Sequence, residues 1–223
     1  MVAVVVFEFS GMRCQPLRRA LYFFSSYLTY RDIVMEITPE FFLDEIFKIE
    51  AEGMLNDIML STVMVSLAFD FDEQKQKVAL GYISDVLREN YNAGHLKVTM
   101  QCEGETLYGF ALWFIHPPHP ATYLHKIFVH EPYRNNGIGT NILKNLTDSV
   151  SSVSLVCPDS KVDFYEKNGF RYLQPFQMPE NDQFQLSKGL YSGLSIMTSS
   201  EHTMESPIFF LNDNDLRTIA GLK

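Results

Sequence analysis

The chain has 223 residues, 46% of them hydrophobic and 20% charged, which supplies enough apolar mass for one folded domain with additions. Its formal net charge of −9 speaks against nucleic-acid binding, which needs a basic surface, and suits a cationic substrate instead. Cys14, Cys102 and Cys157 lie far apart with no Cys-x-x-Cys pair, so neither a zinc site nor a disulfide frame is expected, and the chain reads as reduced and cytoplasmic.

Residues 1–34 differ from the rest, with four arginines against Glu8 and Asp32. Their apolar run 1–7 precedes the basic cluster, the reverse of a signal peptide, and is too short to span a bilayer. Two readings stand: an extra strand and helix packed on the domain, or a poorly ordered extension ahead of a biological start at Met35. The expected organisation is an N-terminal extension over 1–34, a catalytic domain over 35–199 and a tail over 200–223.

From residue 33 the pattern becomes readable. A short strand over 33–38 leads to Thr38 as a helix cap, Pro39 in the first turn, and Phe42, Ile46 and Ile49 on one face. Residues 54–69 have helical period through Leu55, Met59, Val63 and Leu67; Met54, Met59 and Met64 fit either plain core or an adaptable pocket lining. Residues 72–92 form a longer helix with Val78, Tyr82 and Val86 on its stripe and Gly94 as its stop. Strands are predicted over 95–103, 106–115 and 123–129, joined by a Gly104-Glu105 turn and a proline-rich loop over 116–120. His116 and His119 in that loop lack a third ligand, so no metal site is expected. A helix over 137–149, a strand over 153–157, a helix over 161–168 and strands over 170–176 and 190–198 follow. The tail carries a short capped helix over 213–219, expected to dock outside the minimal domain.

Two segments carry chemistry. The first runs from the strand Ile127-Phe128-Val129 through His130-Glu131-Pro132-Tyr133 into Arg134-Asn135-Asn136-Gly137-Ile138-Gly139-Thr140 and a helix. The first-turn amides of that helix lack intrahelical acceptors and sit at the positive end of its dipole, so they favour an anion. Gly139 is followed by no lysine, which rules out a P-loop, and Asn135 and Ile142 stand where a dinucleotide fingerprint needs its outer glycines. The second segment is Phe164-Tyr165-Glu166-Lys167-Asn168-Gly169-Phe170, a helix end stopped by glycine and resuming as a strand.

Together these resemble motifs A and B of the GNAT superfamily of N-acetyltransferases, over residues 122–172 closely and 33–199 more loosely. The resemblance implies an α/β fold with a mixed, mostly antiparallel central sheet flanked by helices, its fourth and fifth strands splayed around acetyl-CoA as co-substrate. It implies that backbone groups along Ile127, Phe128 and Val129 bind the pantetheine arm. The amides of Arg134, Asn135, Asn136, Gly137, Ile138, Gly139 and Thr140 would take the pyrophosphate. Tyr165 matches the tyrosine that protonates the leaving sulfur, and His125 stands where several members carry a glutamate base. Strand alternation is expected to set His125 on the face of Tyr123 and Ile127, with Lys126 opposite. A structural His125, with water or a pocket carboxylate as base, is the alternative.

Three positions depart from or extend the pattern. Glu131-Pro132 inverts the commoner order, and Pro158 replaces an asparagine that contacts the cofactor in many members. Lys167 is within reach of a 3′-phosphate or is an ordinary surface lysine. The activity expected is acetyl-CoA-dependent N-acetylation of a primary amine by direct attack, with no metal, nucleic acid or membrane partner and a homodimer as the assembly. A non-catalytic acyl-CoA-binding module on the same scaffold is the competing reading.

Overall fold

The computed structural model describes residues 39–63, 72–116, 119, 121–178, 180, 182–201 and 208–221. The expected first strand over 33–38, the whole N-terminal extension over 1–34 and the alternative start at Met35 lie outside them.

Helix α1, Pro39–Leu60, is one continuous helix where the sequence suggested two. Phe42, Leu43, Ile46, Phe47, Ala51 and Leu55 recur every three or four residues and are all buried, so the apolar face runs straight through the supposed break. Gly53 does not interrupt it; a Cβ there would lie 3.3 Å from Lys126 Nζ, so the missing side chain lets that ammonium lie against the helix. Met59, placed on the stripe by sequence, is 40% exposed, and Ile58 is the buried residue of that turn. Helix α2, Glu73–Asn92, starts at Asp72, whose side chain accepts from the Lys75 amide. Its buried stripe is Ala79, Ile83 and Leu87. That is one residue on from the predicted stripe, and Val78 is exposed.

Strands β1 (Leu96–Glu103), β2 (Thr106–Phe114) and β3 (Thr122–Val129) form an antiparallel meander. Helix α3 (Ile138–Ser149), β4 (Val153–Pro158), the short α4 (Val162–Glu166), β5 (Arg171–Pro175), β6 (Leu194–Thr198) and α5 (Asp213–Ile219) complete the order. Residues 190–191, read as the start of a strand, instead close a 3-10 turn over Ser187–Tyr191 ahead of β6. The sheet runs β1-β2-β3-β4-β6-β5, and β3 with β4 is its parallel pair. This is the mixed, mostly antiparallel sheet flanked by helices that the motifs implied.

The two sheet faces bury separate cores. Phe110, Leu112 and Phe114 of β2 point toward α1 and α2, while Ala111 points toward α3 with Leu124, Ile142 and Leu155. Helix α5 shares the first core through Leu216 and Ile219, and Tyr82 of α2 donates to Asp215 at 2.7 Å. It is held in place by Asp213, whose carboxylate accepts the amides of Gln185, Leu186 and Ser187. The tail helix is therefore part of the domain's core. Cys157 keeps a free, buried thiol.

Candidate active site

Two irregularities of the sheet create the site. Strands β3 and β4 pair only over Thr122–Leu124 and Val153–Leu155, and beyond those residues they diverge. The His130 amide donates to the Tyr108 carbonyl on β2, so by ladder alternation the polar groups of Ile127 and Val129 turn away from β2, toward the opening. The second irregularity is a bulge in β3: Leu112 pairs with Lys126 but Trp113 pairs with Leu124, leaving His125 as the extra residue.

The bulge overturns the alternation argument. His125 and Lys126 both meet Glu50 on α1, with Nε2 to Oε1 at 3.0 Å and Nζ to Oε2 at 3.2 Å. Ile127 packs with the other core, opposite His125. Lys126 is thus on the α1 side with His125, and the expectation that it pointed away is corrected.

A cavity of about 1200 Å³ opens between the splayed strands. One part of its wall is built by the loop into α3. Asn135 (φ 63°) and Gly137 (φ 76°) adopt left-handed backbone there, a conformation open to glycine and tolerated by asparagine. The Asn141 amide closes the first helical turn on the Gly137 carbonyl at 2.9 Å, so the amides of Ile138, Gly139 and Thr140 precede the helical ladder. Arg134's amide already donates to the Glu131 carbonyl at 3.2 Å, and its Nε donates to the Val129 carbonyl at 3.0 Å. The available amides therefore begin at Asn135. A Cβ on Gly139 would meet Val129 at 3.7 Å and Phe164 at 3.8 Å, ordinary contact distances at the cavity floor.

Of the residues singled out from sequence, the cavity gathers Ile127, Val129, Arg134, Asn135, Gly137, Ile138, Gly139 and Thr140, together with Tyr165 and His125. Phe128 and Asn136 are outside its wall. Phe128 stacks on Phe110 at 5.3 Å under α1, and the Asn136 side-chain amide donates to the Tyr133 carbonyl. Lys161 and Lys167 also line it, with Pro158.

The end at Tyr165 and His125 is more closed. Tyr165 is buried against Phe164 and Phe170, and burial, with a smaller contribution from Cys157, pushes its phenol far above the ordinary value. It stays protonated at neutral pH. Burial alone would raise the Glu50 carboxyl, but the His125 hydrogen bond and the charges of His125 and Lys126 outweigh it and hold the pKa below the ordinary value. Neither nitrogen of His125 stands open: Nε2 faces Glu50, and Nδ1 is buried without a partner, in a ring flanked by Phe114 and Phe209. Glu50 and His125 thus form a buried hydrogen-bonded pair. Burial pushes the Cys157 thiol up to about 11, with Asp159 adding to it, so it is a poor nucleophile. His116 and His119 stack at 5.0 Å, and no cluster of three metal-binding side chains occurs among the described residues.

Sequence reasoning missed Glu50 and Asp57. They are seven residues apart on one face of α1 with Met54 between, a spacing hidden once the helix was split near residue 50. The signal was present: a glutamate inside an otherwise unbroken apolar stripe.

Residues 94–172 match the family described as acetyltransferase (GNAT) domain. That segment is similar to GNAT acetyltransferases. An acetyltransferase from Corynebacterium glutamicum, described as histone acetyltransferase HPA2 and related acetyltransferase, aligns with 75% of this chain and 94% of its own. The identity is 14% and the TM-score 0.52, a likeness of fold. An N-acetyltransferase from Staphylococcus aureus Mu50 aligns at 16% identity over 72% of this chain and 96% of its own, with a TM-score of 0.49. The PaiA N-acetyltransferase from Thermoplasma acidophilum, solved with coenzyme A, aligns at 14% identity over 71% and 92%, with a TM-score of 0.46. Among the curated proteins none matches. No helix of the described residues is long and apolar enough to cross a membrane.

Proposed function

We infer that this GNAT domain transfers an acetyl group from acetyl-CoA to the nitrogen of a primary amine. One observation carries the reading: the unsatisfied amides opening α3 face the same cavity as Tyr165 and the Glu50–His125 pair. An anion cradle and an acid–base pair thus share one cleft, as acyl transfer from a phosphorylated carrier requires.

The carrier supplies an activated thioester acyl group. The protein's part is to bind, orient and manage protons. Asn135, Gly137, Ile138, Gly139 and Thr140 present backbone to the diphosphate, helped by the α3 dipole and by Lys161 and Lys167. The outward-facing backbone of Ile127 and Val129 receives the pantetheine arm as an added strand would be received; Arg134 yields the Val129 carbonyl in exchange. Transfer forms one C–N bond and breaks one C–S bond. The proton lost by the amine passes to the Glu50–His125 pair, through water, since both groups are largely buried. The departing sulfur takes its proton from Tyr165, which burial keeps in the donor form. Holding both substrates in one cleft removes entropic barrier, of order 7–11 kcal/mol at best.

A thiol-release assay with acetyl-CoA and a panel of primary amines tests this. Turnover on at least one amine, lost in Tyr165→Phe, is expected. Acetyl-CoA binding with no turnover on any amine would contradict it and leave a binding module.

A further inference from the structure

The half of the cavity away from α3 has a composition of its own. Its wall is rigid and aromatic: Tyr123, Tyr191, Phe209 and Phe210 all line it, with Met54 and Ile58 of α1 opposite. These rings are fixed from behind. Phe209 stacks on Phe114 at 4.8 Å, Phe210 packs on Tyr191 at 4.8 Å and Phe176 at 5.2 Å, and the Tyr191 hydroxyl accepts the Leu211 amide. Charge in this half is sparse. Glu50 is engaged by His125 and Lys126. Asp57 is the exception. It is exposed on the cavity side of α1 and forms no hydrogen bond or ion pair among the described residues.

We propose that the acceptor is an amphiphilic monoamine, with an aromatic or alkyl body against the Tyr123, Tyr191, Phe209 and Phe210 wall and its single ammonium met by Asp57. The proposal rests on the acetyltransferase reading above and narrows it. A polyamine or an aminoglycoside carries several ammonium groups along its length and needs a row of unpaired carboxylates, whereas the described residues of this half offer one. An apolar body gains from each ring face it covers. Carboxylate and amine then meet in a partly dry site, where charge pairing is stronger than in water.

The test compares 2-phenylethylamine, hexylamine, spermidine and kanamycin as acceptors for the full-length protein, with thiol release as the readout. The expected kcat/KM for the first two exceeds that for the last two by roughly tenfold or more. Asp57→Asn should raise KM for 2-phenylethylamine at least fivefold, by about one unpaired charge contact, and leave KM for acetyl-CoA unchanged. Spermidine or kanamycin used as well as 2-phenylethylamine, or an unchanged amine KM in Asp57→Asn, would overturn the proposal while leaving acetyl transfer standing. Absence of turnover with every amine would overturn both.

Discussion

Replacing Glu50 with glutamine tests the electrostatic centre of the site. The carboxylate is 2% exposed and sits 3.0 Å from His125 and 3.2 Å from Lys126. At an effective dielectric near 20 a charge pair at that distance is worth about 5 kcal/mol gross, and desolvation of the carboxylate takes back much of it. Lys126 keeps 31% of its side chain in solvent, which weakens its share further. Glutamine preserves volume and one hydrogen bond, so the net loss should be about 2 kcal/mol, a melting shift of roughly 4–8 °C for a chain this size. The pH dependence has a definite sign. Glu50's folded pKa lies below its ordinary value of 4.5, so its stabilisation is complete above that value and fades as pH falls through the lowered one. The gap in melting temperature between parent and Glu50→Gln should therefore be full at pH 7 and shrink in acid. Turnover should fall about a hundredfold or more, because the proton-accepting pair is broken. Differential scanning fluorimetry across pH and thiol-release kinetics measure both. A variant melting within ~1 °C of the parent at pH 7, with parental turnover, would refute the reasoning.

Gly139→Val should weaken acetyl-CoA binding at least about tenfold by calorimetry, with little change in melting temperature, because the added Cβ meets only ordinary contacts and the methyl groups project over the cavity floor. Tyr165→Phe removes the sulfur's proton donor; kcat should drop by about 10²-fold or more while the calorimetric Kd for acetyl-CoA holds. Asp213→Asn leaves the amides of Gln185, Leu186 and Ser187 with a weaker acceptor and should cost about 1–3 kcal/mol by denaturant melt. Because those amides hold Asp213's carboxyl below 3.8 against the opposing effect of burial, the cost is full at neutral pH and fades in strong acid. The same variant should raise amine KM, since the turn it pins carries Tyr191.

The loop that opens α3 was legible because its signals are local. Glycine spacing, strand and helix start lie within a dozen consecutive residues, and Gly137 adopts left-handed backbone there. The surroundings of Glu50 and His125 were not, because they depend on long-range pairing. Only the offset between Leu112–Lys126 and Trp113–Leu124 shows that His125 is an extra residue, and nothing within β3 itself reveals it. Without the bulge, alternation sets Lys126 on the wrong side and hides Glu50 as the meeting point. Helix α1 failed for a different reason: the period from Leu55 onward reads as a helix of its own, and only the burial of Ala51, Leu55 and Ile58 in one core shows that it continues the helix from Pro39. The α2 stripe was displaced by one residue because Val78 and Ala79 have similar apolar weight in the sequence, and tertiary packing chose the smaller.

The account turns on whether backbone at the start of α3 grips paired phosphates. Titration calorimetry with coenzyme A and with pantetheine, which lacks the nucleotide and its phosphates, measures that directly. Coenzyme A is expected to bind at least about tenfold more tightly, with the advantage shrinking as salt rises. Equal affinity for the two ligands, or no heat from coenzyme A at all, would contradict the account.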